Sequence, residues 1–317
     1  MSLSASGLAR AARHIAGLLL LLSSAVLLLV NGAFETPLVW SFLCPLTFAL
    51  GLALLGVARP LALAWVVYVT GFLLFIKVRL IADDVSPLPP QFEYVIRLDE
   101  LMFGGHLPTL VLQDRLYELG SPSWAILALV VVYVSYAIVP HLLALIVTLR
   151  NSLADLWRYI AASMICYHAA IAVAIAAPTA PPWMAGQEGY TRHIFRVTYD
   201  VIVDADPATY VGTYPIVDGN SVAAMPSLHM AIAVISGYGL VMALPGTGLV
   251  GVAYPILMGL ALVALGEHYV IDILAGLLLA VLAWRMTGSV YLKRLRASRE
   301  ATGLDPRRRR PPPERLS

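Results

Sequence analysis

His268 and Asp272 stand four residues apart at the start of the apolar run Tyr269–Tyr291, and His229 follows Pro226-Ser227-Leu228 at the start of another. Ionisable groups beside hydrocarbon are costly to keep, which makes each a functional candidate. Positions i and i+4 share one face of a helix. A carboxylate at Asp272 can therefore hold one imidazole nitrogen of His268, fix its tautomer and leave the other nitrogen free to react. The N–H groups of the turn at Pro226-Ser227 and the Ser227 hydroxyl make an anion site, with His229 one turn further in. Pro226 suits the first turn of a helix. Arg192 and Arg196 lie in the loop just before. Two histidines, one carboxylate and two guanidiniums suit a phosphate ester. The arginines clamp oxygens and stabilise developing charge, while one histidine attacks phosphorus and the other protonates the leaving group. This chemistry calls for no metal and no other cofactor. A zinc site is the competing reading of His-x-x-x-Asp with a distant His, but no further Cys or carboxylate is clearly placed to complete it.

The elements that must position these residues are membrane helices. The chain is 60% hydrophobic and 13% charged, against about 25% charged in a soluble domain. Its apolar stretches approach the roughly 20 residues a span needs. They are Ile15–Val30, Leu38–Val57, Leu61–Ile81, Trp124–Leu149, Leu156–Ala177, Met225–Leu244, Leu249–Leu265 and Tyr269–Tyr291. The expected fold is all-α, a polytopic membrane protein of about eight transmembrane helices with an interfacial active site. The segments lack the alternation of a barrel. Arg10, Arg13, Arg59, Arg150, Arg158 and the basic end fall on one side of eight spans, which predicts that both termini are cytoplasmic. His229, His268, Asp272, Arg192 and Arg196 then share the extracytoplasmic face. The first apolar run reads as a span rather than a cleaved signal, because no small-x-small site follows it.

Two long segments lie outside the spans. Residues 82–122 carry Pro87, Pro89, Pro90, the turn Phe103-Gly104-Gly105 and an amphipathic stretch from Leu107 to Leu119 suited to the interface. Residues 178–224 open on Pro178-Thr179-Ala180-Pro181-Pro182-Trp183, which ends a helix and puts Trp183 at the headgroup level. From Lys293 a basic stretch with Arg307–Arg310 beside Pro311–Pro313 reads as a disordered cytoplasmic tail near anionic headgroups. The expected division is residues 1–97 for the N-terminal helices and the start of the first loop, 98–291 for the catalytic core and 292–317 for the tail. Cys44 and Cys166, both within apolar runs, give no disulfide framework.

Pro226-Ser227-x-His229 followed by His268-x-x-x-Asp272 resembles the second and third signatures of the type-2 phosphatidic acid phosphatase superfamily. The resemblance implies that His268 is the nucleophile that becomes phosphohistidine, Asp272 its orienting partner and His229 the acid for the leaving group. Ala180-Pro181-Pro182-Trp183, Ala224-Met225-Pro226-Ser227-Leu228-His229, Glu267-His268-Tyr269-Val270-Ile271-Asp272 and Leu98-Asp99-Glu100-Leu101-Met102-Phe103-Gly104-Gly105 are similar to one branch, the inositol phosphorylceramide synthase-like lipid phosphotransferases. Arg196 resembles an arginine of that branch. The superfamily's first signature, Lys, six residues, Arg-Pro, has no match here. The Ser-Arg that precedes the histidine of its third signature is replaced by Ala261 and Leu262. One clamping guanidinium is thus missing, which fits a phosphodiester better than a more highly charged monoester.

The resulting expectation is a plasma-membrane enzyme that cleaves a lipid phosphate or phosphodiester. It passes the phospho-group to an alcohol or polyol acceptor, or to water as a lipid phosphatase. A lipid-phosphate transporter without chemistry is the alternative of another class, though its polar residues would spread towards the midplane. The partners are lipid substrate and bilayer, with no nucleic acid. The remaining charges have plainer readings. His141 and His168 read as packing residues, His14, His106 and His193 as surface residues, and Lys77 and Arg79 as snorkelling from the end of the third span, with headgroup contact as their other reading. Asp83, Asp84, Asp99 and Glu100 read as solvated or capping groups, with acceptor-headgroup binding as the alternative.

Overall fold

A computed structural model describes residues 5–33, 38–119, 121–205 and 222–301. Among them the regular elements are all helices: α1 (Ala5–Ala33), α2 (Leu38–Leu54), α3 (Arg59–Val85), α4 (Glu93–Met102), α5 (Pro108–Leu116), α6 (Trp124–Ser135), α7 (Val139–Arg150), α8 (Leu153–Ala176), α9 (Pro182–Gln187), α10 (Val197–Ala205), α11 (Leu228–Ala243), α12 (Gly248–Ala264) and α13 (Val270–Ala301). Four segments are long and apolar enough to cross a membrane: Arg10–Leu28, Arg59–Val85, Leu153–Ala176 and Val270–Ser289. Shorter apolar helices run over Phe42–Leu54, Leu228–Ala243 and Gly248–Ala264. With several such helices and 60% hydrophobic residues, the chain is an integral membrane protein.

The single span expected over Trp124–Leu149 is instead two helices, α6 and α7, meeting at a bend of 55°. Pro140 lacks the N–H that would bond the carbonyl of Tyr136, four residues back, and the helix breaks there. Counted as one broken span, this pair is a fifth candidate. Pro255 lies inside α12 without such a break. The helix at the sixth expected span begins at Leu228, so Pro226 sits before its Ser227 N-cap rather than in its first turn. At the other end α13 runs on to Ala301. The basic stretch from Lys293 therefore starts as helix, not as irregular tail. Residues 302–317, with Arg307–Arg310, lie outside the described residues.

Helix α11 packs against α7, α8, α12 and α13, and α3 closes the bundle against α8, with α1 and α2 paired outside it. The core between these helices is apolar, built on buried residues such as Tyr159, Ile160, Ile232, Ile235, Met258 and Leu262. In a bilayer such helices gain little from hydrophobic burial, so close backbone approach matters more. Gly276 of α13 illustrates it, since a Cβ there would fall 2.2 Å from the Ser227 carbonyl oxygen. Only a glycine lets α13 reach the start of α11.

The extramembrane segments are knitted together over one end of this bundle. Gln91 N donates to Pro178 O at 2.8 Å, Ala180 N to Gln91 O at 3.0 Å, and Thr179 N to Val222 O at 2.7 Å. Tyr94 adds a hydroxyl contact to Thr179 Oγ1 at 2.6 Å. The amphipathic stretch expected from Leu107 is α5. Its buried Gln113 donates to the carbonyls of Phe195 and Ala264 and accepts from Phe195 N.

Candidate active site

The chain starts of α11 and α13 meet beneath this knitted layer. Ser227 N donates to Asp272 O at 3.0 Å, and the Ser227 hydroxyl accepts from Met230 N at 3.3 Å. Ser227 is fully buried. Its hydroxyl, expected to bind an anion, serves as the cap of α11, and its placement fixes His229 two residues on. Glu267 and His268 follow a turn at Gly266, whose φ of +81° and a would-be Cβ only 2.5 Å from Phe195 O both require glycine.

His268, Asp272 and His229 come together as expected. His268 Nδ1 stands 3.5 Å from Asp272 Oδ2, while Oδ2 also accepts from Tyr269 N at 2.9 Å. The separation is longer than a hydrogen bond, and His268 Nδ1 and Asp272 Oδ1 are buried without a hydrogen-bond partner. Catalytic hydrogen bonds are often long before substrate binds and tighten in the complex. With Nδ1 turned to the carboxylate, Nε2 is the nitrogen left to react. The rings of His229 and His268 lie 5.6 Å apart between centroids. His229 is held between Tyr133, at 4.9 Å, and Tyr136, at 4.3 Å. Tyr136 belongs to the break between α6 and α7, so the bend delivers an aromatic contact to the histidine.

Arg196 joins this pair and Arg192 does not. Arg196 is 14% exposed, with its Nε 3.5 Å from Glu267 Oε1 and its guanidinium 4.3 Å above the ring of Trp183. Glu267 also accepts from the Thr198 hydroxyl. Trp183, expected at the headgroup level, is therefore buried beneath Arg196. Its neighbour in sequence is displaced outward: Arg192 is 60% exposed and paired with Asp114. Arg192 belongs to the outer surface of the loop.

A cavity of about 680 Å3, counting the space at its open mouth, is lined by His229, His268, Arg196, Glu267, Trp183, Tyr133, Tyr136, Phe75 and Arg79 among others. Arg79, which reads from sequence as a snorkelling residue with headgroup contact as the alternative, lines this cavity. Its signal was present, because a guanidinium six residues before the end of an apolar helix marks a functional position as readily as an anchor. Glu267 lines the cavity without having been singled out from the sequence, and Asp99 is the capping group that its sequence reading allowed. Asp99 is fully buried and takes Val270 N and Ile271 N, each at 2.9 Å. The remaining histidines fill plainer roles, as with His141 against the Tyr68 hydroxyl and His168 against the Met164 carbonyl. Among the described residues no three His, Cys, Asp or Glu side chains gather as a metal-ligand set.

The arrangement thus offers a nucleophilic nitrogen, a second imidazole within reach of the same ligand atom, and two guanidiniums in a cleft walled by aromatic rings. Such a cleft can receive a phosphorus centre and stabilise the charge that develops on its oxygens. Residues 100–286, which make 187 of the 317 positions, match the sequence model of the PAP2 superfamily. No curated protein and no solved structure matches the chain significantly.

Proposed function

The chain belongs to the PAP2 superfamily, and on that footing we propose that it is a lipid phosphotransferase working through a phosphohistidine on His268. Superfamily membership carries the general class, a phosphatase-type or phosphotransferase enzyme acting on lipid phosphates. The observation that carries the finer reading is the cavity shared by His229, His268, Arg196 and Arg79.

In this mechanism His268 Nε2 attacks phosphorus, an N–P bond forms and the bond to the leaving oxygen breaks. His229 gives its proton to that oxygen. Asp272 stabilises the positive charge that gathers on His268. In the second half His229, now neutral, takes the proton of an acceptor hydroxyl, whose oxygen attacks phosphorus and returns His268 to its free state. Tyr133 and Tyr136 hold the His229 ring in the plane needed for both transfers.

Charge in the cavity favours a phosphodiester donor and an alcohol acceptor. Arg196 shares its charge with Glu267, whose carboxylate lines the same cavity. A guanidinium already paired with a carboxylate suits a diester monoanion better than a monoester dianion. Glu267 beside the reacting centre also repels the second charge of a monoester and can accept a bond from an incoming hydroxyl.

We count eight crossings by adding the bent α6–α7 pair and the three shorter apolar helices to the four helices that are long enough by themselves. Helices of 16 and 17 residues are each about 25 Å long, somewhat short of the hydrocarbon core, and their flanking turns complete the passage. With that count we infer from the Lys/Arg bias that both termini are cytoplasmic and the cavity extracytoplasmic.

The experiment is a panel of 32P-labelled lipid phosphates and phosphodiesters, offered to purified protein with and without polyol acceptors. Label moving into a new lipid or acceptor phosphate ester, only when acceptor is present and not in His268→Ala, is the expected result. Release of inorganic phosphate alone would make water the acceptor and the protein a phosphatase. Absence of turnover with every donor would favour carriage of lipid phosphate without chemistry.

A further inference from the structure

The N-terminal end of α13 carries the reacting pair, yet it is capped from elsewhere. Its N-cap residue, Tyr269, has no side-chain oxygen suited to the first-turn N–H groups. These groups must find acceptors, because buried amide donors are rarely left unpaired. Asp99 supplies them. Both of its oxygens are used, Oδ2 for Val270 N and Oδ1 for Ile271 N, each at 2.9 Å. The residue comes from α4, outside the membrane, 171 positions earlier in the chain. It is 0% exposed, and Val95, Ile96 and Leu107 pack around Tyr269 beside it. Burial pushes the Asp99 carboxyl up to about 6 against the pull of the two amide bonds, and the nearby Asp272 adds to the rise.

The consequence falls on Asp272. It occupies the third position of α13, from which an acid ordinarily reaches back to the N–H of the residue that precedes the helix. It already does so at Tyr269 N with Oδ2. Its Oδ1 has no hydrogen-bond partner. Were Val270 and Ile271 uncapped, their N–H groups would compete with His268 for this same carboxylate. We propose that Asp99 is a positioning residue that takes the Val270 and Ile271 N–H groups of α13 and so keeps the Asp272 carboxylate turned to His268. The proposal rests on the phosphohistidine reading of the site. It adds that an extramembrane helix sets the geometry of the reacting pair.

The test is a double-mutant cycle on the full-length protein in lipid vesicles, with the 32P donor and acceptor that give turnover. Asp99→Ala and Asp99→Asn are each made alone and in Asp272→Asn, beside His268→Ala. Asp99→Ala is expected to lower kcat by roughly tenfold to a hundredfold, the range seen when a supporting shell around reacting groups is lost. KM should stay within about twofold, because the cavity cations are untouched. Asp99→Asn keeps one acceptor oxygen and should fall between. In the Asp272→Asn background the same substitutions should cost less than about threefold, since residues acting through one another are not additive. A purely structural role would cost the same factor in both backgrounds, and that result overturns the proposal, as does full activity of Asp99→Ala. If Asp99→Ala does not fold, the cycle with Asp99→Asn decides by the same criterion. Unchanged turnover in His268→Ala would instead remove the phosphohistidine reading itself, so the two failures are separable.

Discussion

The two sides of the cavity differ in kind. The side built by residues 100–286 brings both histidines, Arg196, Glu267, Trp183 and the tyrosine pair, which contact one another across the site. The side built by α3 lies outside the matched region and brings Phe75 and Arg79 from the interior of a long apolar helix. Bond making and breaking are concentrated on the first side, in our account, while the second contributes charge and shape. Chemistry and substrate charge can then vary separately, since α3 packs on α8 without entering the His–Asp constellation.

The sharpest break in that comparison comes from the reacting histidine. His268→Ala is expected to lower turnover by at least about a thousandfold, as removal of a nucleophile does, while the total helix content by circular dichroism is unchanged. His229→Gln should cost about a hundredfold to ten-thousandfold. The loss should shrink when the donor carries an acidic leaving group, such as a nitrophenyl ester, which needs no proton. Equal losses with acidic and basic leaving groups would remove His229 from the acid role. On the other side, Arg79→Leu is expected to raise KM by about tenfold to a hundredfold, the worth of one charge-assisted bond, with the larger part of the effect on KM. A loss confined to kcat would place Arg79 with the reacting groups and erase the division between the two sides. The smallest effect is expected at Arg192→Ala, within about twofold on either parameter, because its pair with Asp114 is largely in solvent. Arg196→Ala, four residues away, should then stand apart from it by more than tenfold in kcat/KM.

The reacting residues were legible in the sequence because their spacing is local. His268 and Asp272 meet through one helical turn, and Ser227 caps the helix that bears His229. The helical class was legible for a similar reason, since apolar runs of this length have few alternatives in a bilayer. What was not legible depends on contacts between distant segments. Asp99 reads as one acid among several until α4 is laid against α13. Arg79 reads as an anchor until α3 is packed on α8. Trp183 reads as an interfacial ring until Arg196 is placed over it. The bend between α6 and α7 had a local cue in Pro140, but Pro255 shows that the cue alone does not decide. Arg192 and Arg196 looked equivalent by composition, and only the fold separates the buried one from the exposed one.

Covalent capture of phosphorus on His268 tests the central claim most directly. Protein would be mixed with a 32P-labelled phosphodiester lipid without acceptor, stopped in alkali, where an N–P bond persists, and digested to locate the label. The account predicts label on the peptide that contains His268, lost in acid, lost on adding an alcohol acceptor and missing from His268→Ala. Rapid turnover of the same donor with no covalent label at any time, or undiminished label in His268→Ala, would contradict it.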